Sequence, residues 1–138
     1  MLVLCFAAAA CASAGSPPRL CARLEGKGPA SDAQDSEHRG SAVLVLSRTS
    51  VHYRIESTGL GTVVATHIHH GPEGTNGPML WELNSGYTTD RSEGEASGIP
   101  PGVLALIAAE PSDYYVKLHS VAYPGGAIRG QLEPCRRK

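Results

Sequence analysis

The sequence is poor in large aromatic side chains, with one Trp, one Phe and five Tyr among 138 residues. A core with so few rings must be built mainly from Val, Leu, Ile and Ala. The chain also lacks an excess of either charge, because its formal net charge is −1. No basic stripe is present that could follow a nucleic-acid backbone, and no acidic tail is present that could bind a polycation, so we expect no nucleic-acid partner.

The signatures of several enzyme classes are also missing. The sequence has no G-x-S-x-G elbow, no phosphate-binding loop, no dinucleotide fingerprint and no EF-hand loop. Neither Ser-His-Asp nor Cys-His catalysis is therefore indicated. Apolar runs all fall short of the ~18 residues that a membrane-spanning helix requires, so we expect no membrane span.

Glycine and proline are frequent, with sixteen and ten copies spread between short apolar runs. Alternating apolar and polar segments recur about every ten residues, which predicts strands separated by turns. We predict an all-β fold, an antiparallel Greek-key-like β-sandwich or barrel with at most one short helix. The predicted strands are residues 20–25, 41–46, 50–56, 62–69, 79–83, 114–119 and 127–132, and residues 26–40 and 84–98 are interpreted as polar connections.

Residues 103–109 fit either a strand or a short helix. Proline stands just before and just after this segment, and the segment is rich in Ala and Leu. These features favour the helix.

The N-terminus has the features of a secretory signal. An apolar run at residues 2–10 precedes Ala12-Ser13-Ala14, which forms an A-x-A cleavage site. We expect residues 1–14 to be a signal peptide, residues 15–138 to form one domain, and the protein to be secreted to the periplasm or outside the cell. Lipidation at Cys11 is an alternative, because the three alanines before it weakly resemble a lipobox.

Removal of the signal would leave two cysteines, Cys21 and Cys135. In an oxidising compartment, an isolated pair of this kind usually forms a disulfide. A redox or metal-binding pair is the weaker interpretation, because the sequence has no CxxC spacing. We predict a disulfide that ties the first strand to the segment after the last strand.

Histidines carry the clearest chemical signal. His67 and His69 end an apolar strand-like run, and their side chains point to one face about 6.5–7 Å apart along the strand. His119 lies on a separate alternating segment and can supply a third imidazole. Clustered imidazoles suit copper or zinc better than magnesium or calcium. We predict a metal site formed by His67, His69 and His119, with copper as the first candidate and zinc as the second.

Three further residues are weighed as part of such a site. His70 points to the opposite face of the strand from His67 and His69. His52 could be a fourth ligand, but it lies on a polar face, so an exposed position is the simpler interpretation. Arg129 shares a strand face with Gln131 and can attract an anion towards a metal, which makes it the candidate catalytic residue. A structural salt bridge or a contact with a backbone carbonyl is the simpler interpretation of Arg129.

Two long segments resemble a known family. Residues 66–78, THIHHGPEGTNGP, resemble the central motif of the CHRD (chordin) domain. Residues 115–132, YVKLHSVAYPGGAIRGQL, resemble its second motif. The order and separation of the two motifs also match. The resemblance covers about residues 20–133 and implies a β-rich domain that is secreted or lies at the cell surface.

The chain departs from the family pattern at two positions. Ser120 stands where Thr is usual, and Ala127 stands where Glu is usual. The second change removes a carboxylate near Arg129 and puts an arginine–acid pair there in doubt. The histidines of the two motifs are retained.

The histidine arrangement is also similar to that of copper-zinc superoxide dismutase, although this is a likeness of arrangement and not of motif. Two hypotheses follow. In the first, a secreted domain binds copper or zinc and, as an enzyme, acts on a small anionic oxygen species such as superoxide. In the second, the domain is a non-enzymatic module that binds an extracellular protein, and its histidines are structural.

Overall fold

The computed structural model describes residues 15–27 and 37–136. The predicted signal peptide, including Cys11, lies outside the described residues, as do residues 28–36 of the predicted 26–40 connection. The described strands are β1 (Arg19–Glu25), β2 (Arg39–Leu46), β3 (Ser50–Thr58), β4 (Val63–His70), β5 (Met79–Asn84), β6 (Arg91–Ser97), β7 (Tyr114–Ser120), β8 (Ile128–Gln131) and β9 (Glu133–Pro134). One helix, α1 (Pro101–Ala109), and a 3₁₀ turn (Pro111–Asp113) complete the described elements.

Apolar and polar residues alternate along the first three strands, and this alternation determines which side chains enter the core. Successive strand residues face opposite sides of a sheet, so every second residue is buried. The buried residues are Leu20, Ala22 and Leu24 on β1, Ala42, Leu44 and Leu46 on β2, and Val51, Tyr53 and Ile55 on β3. The tight β2–β3 connection is closed by the Ser47 amide, which donates to the Ser50 carbonyl over 2.8 Å.

The strands form one antiparallel nine-stranded sheet in the order β5-β4-β7-β8-β1-β2-β3-β6, with β9 paired to β1. Strand β8 lies beside β1, next to the consecutive strands β2 and β3. The end strands β5 and β6 contact each other, so the sheet is nearly closed into a barrel. The predicted all-β antiparallel fold is confirmed.

Residues 103–109, which fit either a strand or a short helix in the sequence, lie in a helix. Proline occupies the start of α1, where a backbone amide has no partner within the helix and the missing hydrogen costs nothing. Leu104 and Ile107 are buried against the core. Among the described residues, no helix has the length and apolar content that a bilayer crossing requires.

The interpretation of residues 84–98 as a polar connection is wrong in part. Strand β6 lies within this segment and pairs with β3 from Ser97 to Arg91. Its sequence shows no apolar alternation because it is an edge strand in which only Ala96 is fully buried. The predicted connection at 26–40 is also too long at its end, since β2 begins at Arg39.

The predicted disulfide between Cys21 and Cys135 is present, with Cα atoms 5.0 Å apart. It joins β1 to the residue that follows β9. The Cys135 amide also donates to the Arg19 carbonyl over 3.0 Å. The first strand and the end of the domain are therefore held together by a covalent bond and by hydrogen bonds.

Candidate metal centre

The three predicted histidines lie together on the outer face of the sheet. His67 and His69 are on β4, and His119 is on the neighbouring strand β7. In the register, His69 faces Tyr115, and His119 lies opposite Ala65. The ligand nitrogens of the three imidazoles are all within 4.8 Å of one another.

Irregular pairing between β4 and β5 accompanies this convergence. The register shifts between Thr66 and His67 and again between Ile68 and His69. Such irregularities bend a strand and redirect its side chains. They set His67 opposite Glu82 on the edge strand β5.

Backbone carbonyls fix two of the imidazole rings. His69 Nδ1 lies 3.0 Å from the Gly77 carbonyl oxygen, and His119 Nδ1 lies 2.8 Å from the Pro124 carbonyl oxygen. A carbonyl oxygen only accepts, so each Nδ1 carries the hydrogen and donates it. The lone pair of each ring is then on Nε2. This is the tautomer that carbonyl contacts impose on histidines that ligate metals.

One nitrogen pair of the cluster has the spacing of ligands around a tetrahedral ion. His69 Nε2 is buried and has no hydrogen-bond partner within the described ranges. Such an atom is costly unless a further group binds it. His67 Nδ1 and His119 Nε2 are 3.2 Å apart. Two ligands at about 2.0–2.1 Å from a tetrahedral ion are separated by about 3.3–3.4 Å, so this spacing suits a shared ion.

Burial lowers the pKa of His69. The positive charge of Lys117 and the neighbouring imidazoles of His67 and His119 lower this pKa further, whereas the bond to the Gly77 carbonyl opposes them. A neutral imidazole is the form that binds a metal. His69 is therefore held in its ligand form at neutral pH.

Residues 71–78, which we call the covering loop, fold back over the outer face of β7 and β8. The Gly77 amide donates to the Tyr115 hydroxyl over 2.9 Å, and Lys117 Nζ donates to Asn76 Oδ1 over 3.1 Å. Gln131 Nε2 donates to the Gly71 carbonyl over 2.9 Å. These bonds bury the ring of Tyr115 completely. The loop that holds His69 is thus itself anchored on two strands.

Arg129 is placed close to the centre but is separated from it by Tyr115. Its guanidinium carbon lies 3.4 Å from the centroid of the Tyr115 ring, and the His69 ring stacks on Tyr115 with centroids 5.0 Å apart. Because β7 lies between β4 and β8, the tyrosine ring stands between the guanidinium and the imidazole. Burial lowers the pKa of Arg129.

The guanidinium nitrogens of Arg129 have partners within the domain. Nη1 donates to the Thr75 carbonyl, and Nη2 donates to Gln131 Oε1 over 2.8 Å. The contact with a backbone carbonyl, which is the simpler interpretation of this residue, is therefore present. A catalytic role of Arg129 stays a prediction.

The other histidines of the sequence analysis lie outside the cluster. His70 is exposed and has its ring 5.1 Å from that of Tyr114. His52 is exposed, and its Nε2 lies 3.8 Å from a Glu93 carboxylate oxygen.

Sequence reasoning missed three neighbours of the centre. Glu82 Oε2 lies 3.5 Å from His67 Nε2. Tyr115 stacks on His69, and Lys117 faces His67 across the register. The alternation of β7 could have placed Tyr115 and Lys117 on the face of His119. The pairing of Glu82 could not be found, because it depends on the irregular β4–β5 register.

Comparisons with known proteins place the chain in one family. No curated protein and no solved structure gives a significant match. The family model of the CHRD domain matches residues 20–132 of the 138-residue sequence. This range contains the three clustered histidines, the covering loop, and strands β1 to β8 except Arg19. The chain belongs to the CHRD domain family.

Proposed function

We propose that this protein is an extracellular CHRD domain that binds a transition-metal ion, copper first and zinc second, through His67, His69 and His119. The observation that carries the proposal is the convergence of three ring nitrogens, one of which is buried without a hydrogen-bond partner in the described structure. A bound ion would satisfy that nitrogen and would replace the 3.2 Å contact between His67 and His119.

The donor set supports copper as the first candidate. Three imidazole nitrogens suit copper, zinc, iron or nickel, whereas magnesium and calcium prefer oxygen ligands. Among divalent first-row ions, a given nitrogen site binds copper most tightly and zinc less tightly. The proposal therefore predicts tighter binding of Cu²⁺ than of Zn²⁺ by the same residues.

The chain itself prepares the site for such an ion. Carbonyl oxygens of Gly77 and Pro124 hold His69 and His119 in one tautomer, and the covering loop shields His69 from water. The His67 side chain keeps 16 % of its surface exposed and leaves an approach from solvent. Copper, when bound, would supply one-electron redox chemistry to a small oxygen species at that approach.

Arg129 supports this centre from a distance. Its guanidinium packs on Tyr115, which in turn packs on His69. We propose that the arginine mainly keeps Tyr115 and the covering loop in place.

Metal analysis of the purified domain tests the proposal. We expect about one copper or zinc ion per chain after metal loading and dialysis, and loss of that ion in His67→Ala and in His119→Ala. His52→Ala is the matched control, because it removes an exposed imidazole outside the cluster. A wild-type domain that stays folded and retains no metal would contradict the proposal and favour the second hypothesis, an extracellular protein-interaction module with structural histidines.

The enzymatic branch needs a separate measurement. The copper-loaded domain should accelerate superoxide decay, and His67→Ala should not, if the centre acts as a dismutase. Metal binding without faster superoxide decay would support the proposed metal site and contradict the proposed dismutase activity.

The extracellular location is supported by the family and by the disulfide. CHRD domains are extracellular, and a disulfide between Cys21 and Cys135 suits an oxidising compartment. We propose that residues 1–14 are the export signal. Mass spectrometry of the exported protein should then show a chain that begins at Gly15. A lipid on Cys11 would contradict this cleavage site.

A further inference from the structure

We infer that Glu82 is a positioning residue of the metal centre. Its carboxylate lies 3.5 Å from His67 Nε2 and would hold the hydrogen of that ring there, so that His67 would bind the ion through Nδ1 while His69 and His119 would bind through Nε2. The inference rests on the proposed function and extends it, because it names the ligand atom on each ring and adds a residue outside the histidine cluster.

The two nitrogens of His67 have different surroundings. Nδ1 faces the cluster and lies 3.2 Å from His119 Nε2. Nε2 lies 3.5 Å from Glu82 Oε2. An ionised carboxylate can only accept, so contact with Glu82 favours the tautomer that has its hydrogen on Nε2. With an ion between the rings, that tautomer directs the Nδ1 lone pair at the ion, as the Nε2 lone pairs of His69 and His119 are.

The backbone sets this contact. Glu82 is the register partner of His67 across the β4–β5 pair, beside the shift at Thr66. Directly opposed residues of an antiparallel pair have their side chains on one face and close together. On the other flank, His67 faces Lys117, whose Nζ donates to Asn76. Glu82 thus brings a carboxylate beside the histidine cluster.

With Glu82 included, each of the three rings is held through its non-ligating nitrogen. His69 and His119 use backbone carbonyls, and His67 uses a carboxylate. Such outer contacts orient a ligating histidine and raise its basicity, and their loss typically weakens metal binding by about 10–100-fold. The Glu82 side chain is 52 % exposed, so we expect its effect at the low end of that range.

Zinc affinity tests the positioning role. Competition titrations with a chromophoric chelator would compare the wild-type domain with Glu82→Ala and Glu82→Gln. We expect about tenfold weaker binding in Glu82→Ala and a smaller loss in Glu82→Gln, which keeps an acceptor oxygen. Glu95→Gln is the control, since it removes the same charge from an exposed position on the other edge strand, β6. An unchanged affinity in Glu82→Ala would overturn the inference.

Nitrogen-15 NMR of the zinc-loaded wild-type domain tests the ligand atoms without any variant. Long-range ring couplings should show a hydrogen on Nε2 of His67 and on Nδ1 of His69 and His119. A hydrogen on His67 Nδ1, or X-ray absorption that shows Glu82 oxygen as a direct zinc ligand, would overturn the inference and leave the metal site standing. A wild-type domain that binds neither zinc nor copper would instead remove the proposed function and, with it, this assignment.

Discussion

At the scale of single residues, the His69 imidazole combines burial with an unmet hydrogen-bonding atom. It is 8 % exposed, donates through Nδ1 to Gly77, and stacks on Tyr115. Each of these contacts restrains the ring, and together they leave Nε2 aimed at the cluster. The ring is therefore preorganised, so that a metal does not have to order it.

The lowered pKa of His69 predicts how the metal-free domain responds to acid. Above about pH 6.5, the ordinary histidine pKa, the imidazole is neutral in both the folded and the unfolded chain and makes no pH-dependent contribution. Below that pH the unfolded chain binds a proton that the buried ring resists, because burial and the charge of Lys117 disfavour it. The free energy of unfolding should fall as pH drops from about 6.5 towards the lower pKa of the folded state.

Urea unfolding between pH 5 and pH 8 would measure this dependence. His69→Ala should show a shallower decline than the wild type, because the variant lacks the group whose pKa shifts. His67 and His119 also influence the pKa of His69, so the comparison requires the single variant and not the wild type alone. Equal slopes in the two proteins would contradict the assignment.

A second residue-scale prediction concerns Gly126. An added Cβ there would collide with Cε of the buried Lys117, and its φ of +135° disfavours other residues. Gly126→Ala should lower the free energy of unfolding by about 1–3 kcal/mol. Gly102→Ala is the control, because its Cβ meets nothing within 4 Å in helix α1 and alanine is the better helix former. Chemical denaturation would measure the free energy of unfolding of both variants. A Gly126→Ala variant as stable as the wild type would refute the prediction.

At the residue scale, the sequence predicts the histidine cluster better than its surroundings. Alternation alone places His67 and His69 on one face, and the β4–β7 pairing brings His119 to them. The tautomers depend on contacts with Gly77 and Pro124, which lie in connections with no periodic pattern. Such contacts follow from loop conformation and could not be predicted.

At the scale of elements, the covering loop links the histidine cluster to strands β7 and β8. Its Gly77 carbonyl accepts from His69, while its Gly77 amide donates to Tyr115. The loop also accepts from Arg129 and Gln131 on β8. A change at Gly77 therefore acts directly on His69, a proposed ligand.

Gly77→Ala is predicted to damage both stability and metal binding. An added Cβ would collide with the carbonyl of His70, so the loop must shift and the hydrogen bond that His69 donates to the Gly77 carbonyl must weaken. We expect about tenfold weaker zinc binding, as for the loss of an outer contact to a ligating histidine. Zinc competition titrations combined with thermal unfolding would measure both effects.

Gly61→Ala is the matched comparison for this loop variant. Its φ of +63° strains an alanine, but its Cβ meets nothing within 4 Å. We expect it to lose stability and to keep its zinc affinity. If the two variants lost affinity to the same extent, the covering loop would have no specific role.

The secondary-structure elements differ in how well the sequence pattern predicts them. Strands β1, β2 and β3 bury every second residue, so their alternation predicts them. Strand β6 buries only Ala96 and carries charged residues on its edge, so it resembles a loop. Helix α1 is recognisable from its prolines and its Ala and Leu content, although its length also suits a strand.

At the scale of the whole molecule, the histidine cluster and the disulfide lie on different strands of the sheet. The histidines lie on β4 and β7, whereas Cys21 and Cys135 hold β1 to the end of the chain. Between them, β8 alone connects β7 to β1 in the strand order. The disulfide was predictable from the cysteine count, but the strand order was not, because it depends on long-range pairing.

This separation leads to a prediction for Cys21→Ser/Cys135→Ser. The disulfide closes a segment with a sequence separation of 114 residues. Loss of so long a loop closure should lower the free energy of unfolding by about 4–5 kcal/mol, because the unfolded chain gains conformational entropy. At temperatures where the variant is folded, its metal affinity should stay within about twofold of the wild type. Neither cysteine lies in β4, β7 or the covering loop, and mutations at distant sites usually have additive effects.

Guanidinium unfolding and zinc titration of the same double-variant sample would test both halves of this prediction. The wild-type domain under reducing conditions provides the control, because it loses the covalent bond without a change of sequence. A variant that unfolds at the predicted lower denaturant concentration but also loses zinc would show that closure of the β1–β9 end shapes the metal centre. The histidine site would then depend on the complete barrel and not on the β4–β7 pair with its covering loop.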